Sequence, residues 1–412
     1  MQKQLIVIGG GAAGFFCAVN AARLNPALQV LLLEKSGKLL SKVKVSGGGR
    51  CNVTHHGLDI TEMAKCYPRG QHFVRKAFHR FFVNDTVQWF LERGVHLKAE
   101  DDGRMFPVTD SSQTIIDALL HEADRYKVAI QTHAEVKAVR RKTPDPGFFI
   151  ELSNGAVLTA DFVCIACGGY PKASFFDWIK ALGHSIEAPV PSLFTFNLPN
   201  HPLSKLMGVS LEKVTVRIAG SRLKEEGPLL ITHWGLSGPV VLRLSAWGAR
   251  ELEACNWQFT IHVNWIAGSN EAVLREKFQQ VRIEWAAQRI YNRNPFRLPQ
   301  RFWQYQLEQS DISPAMRWAD LPAKEQNKLV KNLCDGAFQV KGKTTFKEEF
   351  VTAGGVRLDE IAPDTMMSKK VNDLFFAGEI MDVDGITGGY NFQHAWTSGF
   401  IAAKAITDRN KL

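Results

Sequence analysis

The opening stretch, Gln4 to Thr54, limits what this chain can fold into more than any other. It begins with an apolar run, Leu5-Ile6-Val7-Ile8, that reads as a strand. Gly9-Gly10-Gly11-Ala12-Ala13-Gly14 follows, then a small-residue helix from Phe15 to Leu24. A second apolar run, Val30-Leu31-Leu32-Leu33, ends in Glu34. Strand, glycine turn, helix, strand and acid make the βαβ unit that lays a dinucleotide pyrophosphate on a helix N-terminus. Gly9 allows the tight turn, Gly11 lets the backbone approach the phosphates, and Gly14, beside Ala13, lets helix and strand pack closely. Glu34 stands 34 − 14 = 20 residues past the last glycine, where a carboxylate accepts from ribose hydroxyls. An acid there rather than a base argues for an unphosphorylated 2′-hydroxyl, so FAD or NAD rather than NADP.

Past Lys35 and Lys42 comes Ser46-Gly47-Gly48-Gly49-Arg50-Cys51-Asn52-Val53-Thr54. Its glycines expose consecutive N–H groups, and Ser46, Arg50 and Asn52 add donors, which suits phosphate, ribityl or ring-carbonyl oxygens. Cys51 has no partner cysteine nearby and is not assigned thiol chemistry. Cys167-Gly168-Gly169-Tyr170 is another glycine turn where backbone can approach a nucleotide. No acid or second GxG follows it, so a second dinucleotide fold for bound NAD(P)H is not expected. Near the other end, Val371 to Ala377 leads into Gly378-Glu379, then Asp384, Gly388-Gly389-Tyr390-Asn391 and a helix from His394 to Thr407. The acid can hold ribityl hydroxyls, and the helix N-terminus can face the N1–C2=O edge of a flavin.

Between these ends the pattern predicts helical pieces over Phe73–Gly94 and a helix from Thr114 to Tyr126 capped by Ser111 or Ser112. A strand Val128–Val139 and a hairpin at Asn154-Gly155, joining Phe148–Leu152 to Val157–Ala166, follow. From about Pro189 the character changes to short antiparallel strands and then helices over Glu271–Tyr291 and Ala323–Cys334. His233, in the glycine-punctuated loop Thr232–Pro239, is a candidate proton donor. The net charge of +9 favours anionic partners, but the basic residues are scattered, as on a solvated surface, and nucleic acid is not the expected partner. Seven cysteines, an odd number without an export signal, point to reduced thiols in the cytoplasm. Cys164-Ile165-Ala166-Cys167 lies in an apolar strand without a second pair, so no metal site is expected, and no stretch reads as a membrane span.

Three stretches, Ser46–Thr54 (SGGGRCNVT), Thr232–Pro239 (THWGLSGP) and Phe376–Gln393 (FAGEIMDVDGITGGYNFQ), resemble the bacterial flavoproteins of the BaiN-type, aminoacetone-oxidase-like NAD(P)/FAD-dependent oxidoreductase family. With the opening motif the likeness runs over nearly the whole chain. It implies an FAD domain similar to those of glutathione reductase and succinate dehydrogenase flavoproteins, interrupted by a β-barrel and a helical subdomain. It implies non-covalent FAD, with the ribityl motif on Gly378-Glu379, an adenine-contacting strand near Val136 and a flavin-facing loop at Gly389-Tyr390-Asn391. One departure is His55 after Thr54, where the family pattern has Asn. Activities in the family run from aminoacetone oxidation to reduction of unsaturated steroid ketones, so the resemblance does not fix a substrate.

The expected architecture is therefore α/β. A discontinuous Rossmann-like FAD-binding domain (1–190 and 346–412) carries an insert, 191–345, with a β-barrel over about 191–266 and helices over about 267–345. The expected function is an FAD-dependent oxidoreductase. It moves hydride between flavin and a small organic substrate, an amine or unsaturated ketone, with O₂ or diffusing NAD(P)H as redox partner. His233, Arg50 and Tyr390 are the acid/base candidates. Two rivals stay open without a motif of their own: an RNA-binding or RNA-modifying flavoprotein, suggested by the charge, and a non-catalytic flavin-binding regulator.

Overall fold

In a computed structural model of the chain, which describes residues 2–344 and 351–410, Gln4–Ile8 is the middle strand of a five-stranded parallel sheet. The order across the sheet is Leu374–Phe376, Phe162–Ile165, Gln4–Ile8, Gln29–Leu33, Ala129–Gln131. Strands buried on both faces read as unbroken apolar runs, as Leu5–Ile8 and Phe162–Ile165 do. Both ends of the chain thus enter one sheet. Helices Ala12–Leu24 and Tyr390–Asn410 lie against each other, and Gly399 makes this possible: a Cβ there would stand 2.7 Å from the Ala13 carbonyl oxygen. A meander of Val136–Arg141, Phe148–Leu152 and Val157–Ala160 forms a separate sheet. Ile186–Ser192 pairs antiparallel with Val351–Val356.

The chain divides into two units, Met1–Ser192 with Lys347–Leu412, and Leu193–Phe346. In the second, seven strands pair in a sheet whose two edges are consecutive in sequence. Gly336–Lys341 pairs with Gln258–Asn264, and Lys343–Thr344 pairs with Thr195–Asn197, so the sheet closes into a barrel. Its core includes Val214, Val216, Leu229, Ile261 and Val263. Helices Glu271–Glu284, Gln300–Gln309 and Ala323–Asp335 enclose a core of their own around Phe278, Trp303, Trp318 and Leu329.

Several expected elements take another form. Val128–Val139 is two strands in different sheets, broken where His133 adopts φ 54. Val157–Ala166 is likewise split: Val157–Ala160 ends the meander and Phe162–Ile165 enters the parallel sheet, with the Asp161 carboxylate between them accepting from Gln4 N at 2.7 Å. Gly336–Lys341, expected in the helical half of the insert, is a barrel strand with alternating burial. The helix expected over Glu271–Tyr291 ends at Glu284, and the last helix starts at Tyr390 rather than His394. Ser41–Gly49 is helical before it breaks at Ser46, Gly47 and Gly48. The boundary placed at 345/346 lies outside the described residues. Among the described residues no helix is long and apolar enough to cross a membrane.

Candidate cofactor site

The three glycines of the opening turn have three different surroundings. Gly9 has φ +116, and a Cβ on it would stand 2.4 Å from the Ala166 oxygen. A Cβ on Gly14 would be 1.9 Å from the Gly9 oxygen, so only glycine lets this helix sit on this strand. Gly11 has nothing within 4 Å of the Cβ position. It is the N-cap of Ala12–Leu24 and supplies no side chain, which leaves the first helical N–H groups for an anion. Buried Ala13 stands 2.7 Å from the Cβ position of Gly378. The Glu34 carboxylate accepts from Gly10 N at 2.9 Å, Ser36 N at 2.9 Å and Ser36 Oγ at 2.8 Å. It fastens the strand end to the glycine turn, and Oε2, which accepts from Gly10 N, keeps capacity for a hydroxyl. Lys35 Nζ lies 5.8 Å from the Tyr170 ring centre. Burial pushes the Cys167 thiol up to about 11, and Gly168 (φ +75) has open space over it. Val136 is half-buried at the start of its strand, paired with Leu152.

The second cluster joins residues from four distant segments. Glu379 Oε2 is 2.6 Å from Lys42 Nζ, and Oε1 accepts from Thr352 N at 2.9 Å. A Cβ on Gly169 would stand 2.8 Å from that same Oε1. The carboxylate is thus charge-balanced and fixed in direction. Gly378 N donates to Ser398 Oγ at 2.9 Å, and Ser398 Oγ donates to the His394 carbonyl at 2.6 Å. The buried His394 imidazole lies against the Gly378 carbonyl without reaching hydrogen-bonding geometry, and burial pushes it down to about 4.

The third cluster fixes the loop before the last helix. Gly389 has φ +92, and a Cβ there would be 2.5 Å from the Thr54 oxygen. The Asn52 amide bridges the two segments, donating to Thr54 O at 3.0 Å and accepting from Gly389 N at 3.0 Å. Asn391 clasps Gly385, accepting from its N–H at 2.8 Å and donating to its carbonyl at 2.9 Å. The Tyr390 ring stacks on His55 at 4.9 Å, and its carbonyl accepts from the Tyr67 hydroxyl at 2.6 Å. His55 Nδ1 is 3.1 Å from the Gly388 carbonyl, and burial lowers its pKa. Gln393 Oε1 accepts from Thr54 Oγ1 at 2.6 Å and Thr86 Oγ1 at 3.1 Å.

Other expected residues are occupied elsewhere. Asp384 is fully buried and bound by the Arg69 guanidinium, with Ser192 Oγ donating to it at 2.9 Å; it is a structural anchor rather than an open acceptor. Burial pushes its carboxyl up, and the Arg69 guanidinium and the Ser192 hydroxyl oppose that shift. Arg50 is no free acid: Nη1 is 2.6 Å from Glu100 Oε1, and the guanidinium lies 3.9 Å from the Phe106 ring centre. Ser46 Oγ donates to Val43 O at 3.0 Å, while Gly49 (φ +87) has open space at its Cβ position. Burial raises the Cys51 thiol to about 12, which rules against a thiolate. His233 is exposed in the second unit, 4.5 Å from the Trp234 ring. Among the described residues no group of His, Cys, Asp or Glu could hold a metal.

Sequence reasoning passed over Tyr67, Arg69, Thr86 and Gln393, and noted His55 only as a departure. The one available signal was Tyr67-Pro68-Arg69-Gly70, a turn with a charge at its tip. The open approach over Gly11, Gly49 and Gly168, the helix N-terminus and the anchored Glu379 carboxylate fit a long ligand carrying two phosphates and a polyol, as FAD does.

A family profile described as HI0933-like protein Rossmann domain matches residues 3–405. The 3-dehydro-bile acid delta(4,6)-reductase of Clostridium scindens is 29% identical over 419 residues, covering 99% of this chain and 100% of its own. The ribosomal RNA dihydrouridine synthase of Escherichia coli is 32% identical over 409 residues, covering 97% of this chain and 96% of its own. The crystal structure of 3-ketosteroid-delta4-(5alpha)-dehydrogenase from Rhodococcus jostii aligns at TM-score 0.52 and 12% identity, covering 97% of each chain. That of 3-ketosteroid delta1-dehydrogenase from Sterolibacterium denitrificans aligns at 0.52 and 13%, covering 99% of this chain and 100% of the other. At such identities the structures speak to the fold alone, and the first unit has the Rossmann-type FAD-binding fold.

Proposed function

We propose an activity for this chain, which belongs to the HI0933-like Rossmann-domain family: reduction of a ring carbon–carbon double bond conjugated to a carbonyl. The protein is an FAD-dependent oxidoreductase, and bound FAD supplies the hydride at N5. The observation that carries the reading is a shared bond change. One full-length relative is named for reducing delta(4,6) bonds of a 3-dehydro-bile acid, and two are named for making dihydrouridine. Both reactions add two hydrogens across a double bond next to a carbonyl.

In this reading Gly9, Gly11, Ala13 and Gly14 with Cys167-Gly168 hold the pyrophosphate, and Glu34, Lys35 and Val136 serve the adenosine end. Lys42, Ser46, Gly49 and Glu379 face the ribityl chain. Asn52, Gly389, Tyr390 and Asn391 shape the ring edge. Arg50, Cys51 and Asp384 support this cradle from behind rather than touching the ligand. Tyr390 is the remaining acid candidate in this unit, since Glu100 takes up the Arg50 charge. The FAD domain is discontinuous, the insert carries the barrel and helices, and the electron donor is diffusing NAD(P)H. Seven free cysteines support a cytoplasmic setting.

The test is anaerobic stopped flow. NADH or NADPH should bleach the flavin, and a cyclic enone should restore its colour. If no cyclic enone reoxidises the reduced protein faster than buffer does, the proposal is lost. A second reading, reduction of a uracil ring within RNA, draws on the dihydrouridine synthase relative and the charge of +9.

A further inference from the structure

Residues 285–301 of the second unit contain Arg289, Arg293, Arg297 and Arg301 and no Asp or Glu. All four are exposed, as is Arg317. Nearby cations are paired: Arg275 lies 3.2 Å from Glu271, and Lys328 lies 2.6 Å from Asp311. Arg289, Arg293, Arg297 and Arg317 take part in no ion pair among the described residues. Two of them are held side by side. Arg289 and Arg317 form an antiparallel backbone bridge, flanked by Ile290 N donating to Met316 O at 3.0 Å and Trp318 N to Gln288 O at 3.0 Å. Like charges placed opposite each other destabilise a fold unless an anion lies between them. The stretch is also fastened down. Gln300 Nε2 donates to Tyr291 O at 2.6 Å, Trp303 Nε1 to Ile290 O at 2.9 Å, and Arg301 Nη2 to Lys205 O at 2.9 Å. Half-buried Trp285, Tyr291 and Phe296 alternate with the arginines, and Arg293 lies 5.7 Å from the Trp285 ring centre.

We infer that this arginine row is a docking surface for the sugar–phosphate backbone of RNA. Guanidinium forks match phosphate oxygens, while Trp285, Tyr291 and Phe296 pack against the helical core and hold the row in place. Arg289, Arg293 and Arg297 lie on the segment between the helices Glu271–Glu284 and Gln300–Gln309, whereas membrane-surface binding uses the face of an amphipathic helix. RNA is therefore the better match. The inference goes beyond the proposed reduction and does not depend on which ring the flavin reduces.

The test is fluorescence anisotropy of the full chain with a short labelled single-stranded RNA across a KCl series. The native protein should bind at low salt and weaken steeply as salt rises. Arg289→Gln with Arg293→Gln should lower affinity about ten-fold and reduce the salt slope by about 1.4, since each phosphate neutralised on a single strand contributes about 0.7. Arg275→Gln, which removes a paired cation, should leave both unchanged, and lysine at 289 and 293 should retain the slope. Absence of RNA binding at low salt overturns the inference, as does an unchanged slope in the double variant. Binding to phosphatidylserine vesicles that depends on these arginines while RNA binding does not would also overturn it. Flavin reoxidation by a cyclic enone is followed in the same proteins. Should no enone react while RNA affinity still tracks the arginines, the proposed reduction falls and the surface stands.

Discussion

Gly11 and Gly14 are both glycine for steric reasons, but in opposite directions. A methyl group on Gly14 meets the Gly9 oxygen at 1.9 Å, and that oxygen is backbone and cannot swing aside. Gly14→Ala should destabilise the apoprotein by about 1–3 kcal/mol, read as a lowered urea midpoint. A methyl on Gly11 meets nothing within 4 Å. Gly11→Ala should therefore lower the urea midpoint less than Gly14→Ala does, by the cost of an alanine N-cap, yet bind FAD at least about ten-fold more weakly, because the methyl fills the path of the phosphates. Equal FAD affinity in that variant would place the pyrophosphate elsewhere. His394 gives a pH signature. Its imidazole is lowered from 6.5 to about 4 by burial, so between those values the unfolded chain holds a proton that the folded chain does not. Its stabilising contribution is complete above pH 6.5 and is lost as pH falls toward 4, amounting to about 3 kcal/mol at most. Urea melts at several pH values should show that slope, and His394→Asn should flatten it. At this scale the turn at Gly9 and the close approach at Gly14 follow from residue type and spacing. The fate of Asp384 does not, because its partner Arg69 is 315 residues away.

Arg69, Asp384 and Ser192 tie three elements together: the turn before the helix Gln71–Phe78, the loop after Gly378–Ile380, and the end of Ile186–Ser192. Arg69 and Asp384 also form a backbone bridge. Removing one partner leaves a buried charge uncompensated, so Arg69→Met should cost about 3–5 kcal/mol. Adding Asp384→Leu should recover most of that loss, since the apolar pair no longer strands a carboxylate. A double-mutant cycle from urea melts decides it: if the two losses simply add, the pair does not pin these elements. The same scale shows where sequence patterns stop. Val157–Ala166 is apolar enough to be one strand, but its two halves pair in different sheets, with the Asp161 hydrogen bond from Gln4 N at the switch. Gly336–Lys341 alternates buried and exposed residues but directly follows the helix Ala323–Asp335, so the helical period hides it.

At the scale of the whole molecule, the chain leaves and re-enters the FAD-binding unit at one place. Ser192 and Val351 are opposite each other in the antiparallel pair Ile186–Ser192 and Val351–Val356. Two strand ends in that register are what a two-residue Asn-Gly turn joins. A chain in which residues 193–350 are replaced by Asn-Gly should therefore keep the parallel sheet, the Glu379–Lys42 pair and the Asn52 bridge to Gly389, because every one of these lies in the first unit. It should purify yellow, and its melting temperature should rise with added FAD, as linkage requires of any ligand bound only by the folded form. The complementary piece, 193–344, has a closed barrel and its own apolar cores, so it should fold alone and bind no flavin. A colourless shortened chain that is nonetheless folded by circular dichroism would mean that the insert supplies part of the cofactor cradle, and that the two chain ends do not suffice to build it.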